Sequence, residues 1–323
     1  MTAAPLKHLL HDDDLAAALR ADVRSGLSDD PKWLSPKWFY DARGSELFEQ
    51  ITELPEYYPT RAEREVLTAH AGDIASVTRA KTVVELGSGA SVKTRLVLSA
   101  LDDAGCLEAF VPLDVSAAAL AESAHAIAAD YPRVRVQGIV GDFTRHLSSI
   151  PGGGERLVLF LGGTVGNLLP DERSQLLGGL RAVLEPGEWL LLGTDLVKDP
   201  ARLVPAYDDA AGVTADFNRN VLRVVNRELG GDFDVEAFEH VALWNAEREW
   251  IEMRLRASRD MTVQIPALDL TARFAAGEDL LTEVSSKFRR DGVARELAAS
   301  GFALRHWWTD GQSRFGVSLA QAQ

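Results

Sequence analysis

The chain has a single cysteine, Cys106, so no internal disulfide can form and the expected compartment is a reducing cytoplasm. No apolar run approaches the length of a membrane span. The best stretch, LVLFLGG at 157–163, is only a strand's worth. Basic residues are the minority, 34 Lys and Arg against 48 Asp and Glu. The resulting charge of −14 argues against a nucleic-acid backbone or an anionic membrane as partner. CxxC, HExxH and histidines clustered with carboxylates at ligand spacing are all missing, so no metal is expected. The opening MTAAPLKHLLHDDDLAAALR lacks the basic-then-apolar pattern of a secretory signal. What is present, 46% hydrophobic and 25% charged residues, is ordinary for a globular protein. These limits leave a small molecule as the natural partner. With no exposed apolar stripe evident, a monomer is expected.

From residue 80 the pattern alternates. Buried-strand runs at 82–86, 109–115, 134–140, 156–162 and 189–196 are separated by helix-like segments at 91–102, 116–129 and 170–184. That rhythm predicts a parallel sheet covered on both faces, with ligands at the C-terminal strand ends. Residues 199–229 read as helix, and 240–266 as antiparallel strands without helices between them. A helix near 287–300 precedes FALRHWWTD (302–310) and RFGVSLAQ (314–321), whose short connection forces a hairpin. The first sixty residues read as helical. The predicted organisation is a nucleotide-binding lobe of 61–196 and 287–323, and a second, substrate-binding lobe of 1–60 and 197–286. A ligand held between two lobes would be shielded from water.

The first strand runs into Glu85-Leu86-Gly87-Ser88-Gly89. A dinucleotide turn needs a third glycine at 92 and a Walker A loop needs its second glycine there, and Val92 defeats both. A carboxylate in the turn suits a cationic or neutral ligand better than a diphosphate, and S-adenosylmethionine is such a ligand. Asp114, 25 positions after Gly89 at a strand end, is placed to receive ribose hydroxyls or to cap the next helix. Asp142 and Phe143 follow the third strand, where a carboxylate and a ring could hold adenine. Lys93 lies in the first helical turn, within reach of a ligand carboxylate. Gly162, Gly163 and Gly166 leave room beside Asn167, an amide at the point where methyl transfer would occur.

Together, Tyr57-Tyr58-Pro59-Thr60-Arg61, Glu85 to Gly89, Gly141-Asp142-Phe143, Gly166-Asn167-Leu168 and Glu283-Val284-Ser285 resemble the histidine Nα-methyltransferases of ergothioneine biosynthesis, the actinobacterial ones in particular. PKWFYDARGSELFEQITELPEYYPTR at 36–61 carries the same likeness and is more distinctive than the glycine turn. The resemblance implies a Rossmann-like class I methyltransferase sheet with an antiparallel C-terminal hairpin, plus a substrate-binding domain. It implies three methyl transfers from S-adenosylmethionine to the α-amine of L-histidine, giving hercynine. By the same likeness Gly87, Lys93, Asp114, Asp142 and Phe143 touch the cofactor. Tyr57, Asn167 and Tyr207 are expected at the amino and carboxylate groups. Glu283 and Ser285 are expected at the imidazole with Tyr40 nearby, Met253 lining the side-chain pocket, and Val284 among the substrate-binding residues. Hydride transfer with NAD, or a silent module that only senses the cofactor, are the competing readings of the same turn.

Overall fold

The computed structural model describes residues 5–89 and 91–323. The chain starts with β1 (Leu6–His8), then α1 (Asp12–Ser28), α2 (Ala42–Glu53) and α3 (Pro59–Thr78). An alternating stretch follows: β2 (Thr82–Leu86), α4 (Thr94–Asp103), β3 (Ala109–Asp114), α5 (Ala117–Asp130), β4 (Arg135–Val136), β5 (Gly138–Val140), β6 (Arg156–Phe160), α6 (Pro170–Val183) and β7 (Trp189–Asp195). Next come α7 (Pro200–Leu203) and α8 (Val213–Leu229), then β8 (Phe238–Asn245), β9 (Trp250–Ala257), β10 (Met261–Ile265), β11 (Leu270–Phe274) and β12 (Asp279–Ser286). Helix α9 (Arg290–Ala299) and the hairpin β13 (Phe302–Thr309) and β14 (Phe315–Ala322) finish the fold.

The chain divides into two compact units. One holds residues up to His11, Pro59–Leu196 and Phe288–Gln323, and the other Asp12–Tyr58 and Val197–Lys287. The first is built on a sheet of order β1-β5-β3-β2-β6-β7-β14-β13, with β4 also on β3. Every neighbour is parallel except β14 on β7 and β13 on β14. This is the predicted class I methyltransferase sheet with its antiparallel hairpin. It is held by apolar rungs such as Val111, Val84, Val158, Leu190 and Ala320, paired in register and almost without exposure. Strand order reverses around β2, so the loops after β2, β3 and β6 open at the switch point where such sheets bind ligands.

The second unit carries the sheet β12-β9-β8, the hairpin β10-β11, and helices α1, α2 and α8. Here the structure departs from expectation. The antiparallel strands expected over 240–266 continue further, with β11 and β12 lying beyond residue 266. Residues 199–229 break into α7, a 3-10 turn containing Pro205, and α8, which opens at Gly212 with φ of +75°. The N-terminal sixty residues are not all helical either. β1 pairs in parallel with β5, which draws the residues up to His11 to the sheet; three residues are too few to show a period-2 pattern.

One ion pair ties β6 to the start of β7. Arg156 and Glu188 are both almost fully buried, and the guanidinium clasps the carboxylate while also donating to the carbonyls of Pro151 (3.0 Å) and Val183 (2.8 Å). Glu188 in turn accepts the backbone N–H groups of Arg156 (3.0 Å) and Glu185 (2.6 Å). Deleting one partner strands the other charge, so Glu188→Ala is expected to cost about 3–5 kcal/mol in urea unfolding. A loss under about 1 kcal/mol would show that water reaches the guanidinium.

Candidate active site

At the strand ends of the first unit, the turn after β2 places Gly87 at φ +66° and Gly89 at φ +47°, a conformation side chains resist. The Asp114 carboxylate, at the end of β3, accepts from Gly89 N–H (2.9 Å) and Ser116 N–H (2.9 Å). It therefore braces the glycine turn, while the Ser116 hydroxyl caps α5. Among the described residues, Ser88 Oγ is buried with no hydrogen-bond partner and no side chain caps α4. Phe143 packs edge-on to Phe160 (5.2 Å) and lies 3.8 Å from where a Cβ on Gly87 would stand. Asp142 turns one carboxylate oxygen to Thr144, accepting its N–H (2.8 Å) and hydroxyl (2.6 Å). Its own N–H donates to His146 Nδ1 (3.0 Å). Asn167 ends a 3-10 turn begun by Gly163 in the left-handed region.

Lys93 is held by a residue that sequence reasoning missed. Glu63 on α3 has no exposure; its carboxylate pairs with the Lys93 ammonium and takes Gly162 N–H on both oxygens (2.9 and 3.0 Å). A side chain at Gly193 on β7 would put its Cβ 2.2 Å from Glu63 Oε1, so the carboxylate occupies the space that glycine leaves. A signal existed. Pro59, Ala62, Glu63, Val66 and Leu67 share the buried stripe of α3, and a carboxylate on an apolar stripe needs a partner. Glu85, also buried, accepts from Ser91 Oγ (2.7 Å) and Thr94 Oγ1. Burial pushes its carboxyl up to about 7; the two hydroxyls and Lys93 pull the other way, and Asp114 adds to the rise.

These groups fit S-adenosylmethionine. Asp114 and Asp142 would offer carboxylate acceptors to its hydroxyls and amine and Phe143 a ring, the glycine turn leaves open backbone, and among the described residues the Ser88 hydroxyl has no partner. Val92, where a dinucleotide turn would carry glycine, is 54% exposed.

In the second unit, Tyr40 and Tyr57 belong to one aromatic cluster: Tyr40 meets Phe48 (5.6 Å) and Phe217 (5.4 Å), and Phe48 meets Tyr57 (6.2 Å). Glu283 and Met253 are cross-strand partners on β12 and β9. That pairing depends on a bulge. Leu281 lies opposite Arg254 and Glu283 opposite Met253, so Thr282 is the extra residue, held by Asn218 Oδ1 (2.6 Å) and the Met253 carbonyl (2.9 Å). Without it Glu283 would pair with Glu252, on the other face of the sheet. Ser285 shares the face of Glu283. Val284 does not: strand alternation sets its side chain on the face of its partner Glu252. Tyr207 Oη lies 2.8 Å from Ser285 Oγ, and its carbonyl accepts from His240 Nε2 (2.7 Å). Desolvation lowers the His240 pKa, and with Nδ1 facing the Asn218 amide NH2 (2.8 Å) the ring is the neutral Nε2–H tautomer. Lys287, two residues past Ser285 and also missed, donates to both hydroxyls. The alternation Glu283, Ser285, Lys287 was its signal.

With this geometry in place, comparison with known proteins is specific. The profile of the family described as histidine-specific, SAM-dependent methyltransferases matches residues 19–322. A protein of Mycolicibacterium smegmatis named histidine N-alpha-methyltransferase is 57% identical over 98% of both chains. One of the same name from Mycobacterium tuberculosis is 59% identical over 94% of both. The ergothioneine biosynthesis protein 1 of Neurospora crassa is 34% identical over 90% of this chain and 33% of its own length.

Glu85 generates a pH prediction. Its folded pKa of about 7 lies above the ordinary 4.5, so the folded state holds the extra proton and stability falls as pH rises through that interval. Glu85→Gln should stabilise the ligand-free protein by on the order of 3 kcal/mol at pH 8, shrinking to under about 1 kcal/mol at pH 5. A variant-minus-wild-type difference in urea unfolding that does not change with pH would refute this.

Proposed function

Because the chain belongs to the histidine-specific, S-adenosylmethionine-dependent methyltransferases, we propose that it transfers three methyl groups in succession to the α-amine of L-histidine, giving hercynine, the first step of ergothioneine biosynthesis. The observation that carries this reading is the near-full-length match at 57 and 59% identity. The strand pairing that puts Glu283 and Met253 side by side, on the face shared by Ser285, supports it.

S-adenosylmethionine supplies an electrophilic methyl on a good leaving group. What remains for the protein is to align a neutral amine, exclude water and fix the rest of the amino acid. An α-amine loses its proton at about pH 8 in model peptides and somewhat higher in a free amino acid, so acceptors that orient the lone pair suffice while solvent or a tyrosine takes the proton. The roles implied by the family likeness stand as proposals: Tyr57, Asn167 and Tyr207 for the amino and carboxylate groups, Glu283 and Ser285 for the imidazole, with Tyr40 and Met253 beside it. Gly87, Lys93, Asp114, Asp142 and Phe143 are assigned to the cofactor. A hydroxyl grip on the carboxylate leaves the nitrogen able to turn and accept its second and third methyl groups. Glu283 sets ring specificity, since its buried carboxylate accepts from an imidazole N–H and an apolar side chain has no such donor to offer.

With excess S-adenosylmethionine, each histidine should consume three equivalents and yield the trimethylated product, read by mass spectrometry. Equal labelling of tryptophan would remove the specificity. Glu283→Ala should weaken histidine binding about tenfold to a hundredfold in calorimetry, the scale of one charge-assisted hydrogen bond, and leave S-adenosylhomocysteine binding nearly unchanged. The reverse order would mean that Glu283 does not face the substrate.

A further inference from the structure

Glu63 has no exposure and is not among the residues assigned to the ligands above. Its carboxylate pairs with the Lys93 ammonium and accepts Gly162 N–H on both oxygens (2.9 and 3.0 Å). Glu63, Lys93 and Gly162 all belong to the first unit, so the arrangement is complete within one compact body. Gly162 stands at φ +79°, and a Cβ there would lie 3.9 Å from Lys93 Nζ, so the ammonium lies beside the face that glycine leaves bare. The Lys93 side chain is 20% exposed. Glu85 is close enough to interact with the Lys93 charge, yet its two oxygens are held by the Ser91 and Thr94 hydroxyls.

A lysine carries its charge on a long flexible stem, and a ligand that must first capture a wandering ammonium loses affinity to that ordering. An ammonium largely withdrawn from solvent and given no counter-charge would also swing out to water. Glu63 removes both difficulties. It orders the stem in the folded protein and supplies the opposite charge, and it takes one of the three ammonium donors, which leaves two for a second acceptor. Repulsion of an incoming carboxylate by Glu63 is blunted, since its charge is already met by the ammonium and by Gly162 N–H.

We propose that Glu63 is a positioning residue that holds the Lys93 ammonium in place for the carboxylate of the amino-acid tail of S-adenosylmethionine. The proposal rests on the reading that Lys93 meets that carboxylate. It goes beyond that reading in assigning the aim of the lysine to a residue that need not touch the cofactor.

The test measures calorimetric binding of S-adenosylhomocysteine and of methylthioadenosine, which has the nucleoside and sulfur but no amino-acid tail. The proteins are the wild type, Glu63→Gln, Lys93→Met and the double variant. Glu63→Gln keeps an acceptor for Gly162 N–H and removes the charge. It should weaken S-adenosylhomocysteine about tenfold, the scale of one charge-assisted hydrogen bond, and leave methylthioadenosine within about twofold. Lys93→Met should show the same selective loss. The double variant, in which neither charge is stranded, should fall no more than about twofold below Glu63→Gln. A purely structural role of Glu63 would instead weaken both ligands alike and would overturn the proposal. Should Glu63→Gln not fold, Glu63→Asp, which keeps the charge but draws it back by one methylene, is held to the same expectation. Selective loss in the double variant with wild-type or tighter binding in Glu63→Gln would overturn the proposal and leave the Lys93 reading standing. Unchanged S-adenosylhomocysteine binding in the double variant would overturn both.

Discussion

A carboxylate without solvent must find its partners inside the protein, and Glu63 finds them at the strand ends of the sheet. Its two oxygens hold the backbone of Gly162 after β6 and the ammonium of Lys93 before α4, against the bare backbone of Gly193 on β7. Three loops or strands that are distant in the chain are tied to α3 by one group. Losing the Lys93 ammonium leaves a buried charge uncompensated, which costs more than a lost surface pair. The arrangement places the Lys93 ammonium where a ligand carboxylate could share it, with its charge already balanced when no ligand is there.

The sheet of the second unit solves a different problem, that of facing. A strand shows alternate residues to opposite sides, so the character of its exposed face is decided by register. The extra residue Thr282 shifts that register by one, and its hydroxyl secures the shift through Asn218 and the Met253 carbonyl. Glu283, Ser285 and Lys287 then fall on one side and Val284 on the other. Asn218 also holds His240, whose ring supports the Tyr207 carbonyl, so bulge and tyrosine are braced through the same amide. The facing of this sheet thus depends on a buried polar network whose members satisfy one another.

Charge follows a consistent rule in both units. The protein as a whole is strongly acidic, yet each candidate site contains a buried or half-buried lysine tethered to oxygen: Lys93 to a carboxylate, Lys287 to two hydroxyls. The ligands expected are zwitterionic or cationic, and both lysines stand beside groups assigned to their carboxylate ends. The carboxylates Asp114, Asp142 and Glu283 are assigned to hydroxyl, amine and ring N–H donors. Complementarity of this kind orients a ligand even where it adds little net affinity.

The sequence alone determined what depends on local pattern. Alternating apolar runs and helical segments specified the parallel sheet, the three-residue connection specified the closing hairpin, and glycines after a strand marked the cofactor turn. The short motifs carried the family likeness that the comparisons bear out. Tertiary structure decided what depends on partners far along the chain. Glu63 reads as one more charge in a helix until Lys93, 30 residues away, and Gly162, 99 residues away, close around it. Lys287 reads as a solvated lysine until Tyr207, 80 residues away, meets it. Val284 sits between two site candidates in sequence and faces away from them in space, because a strand alternates. Local propensity and spacing are written in neighbouring residues, whereas the pairing of a buried charge and the facing of a bulged strand exist only once the chain has folded.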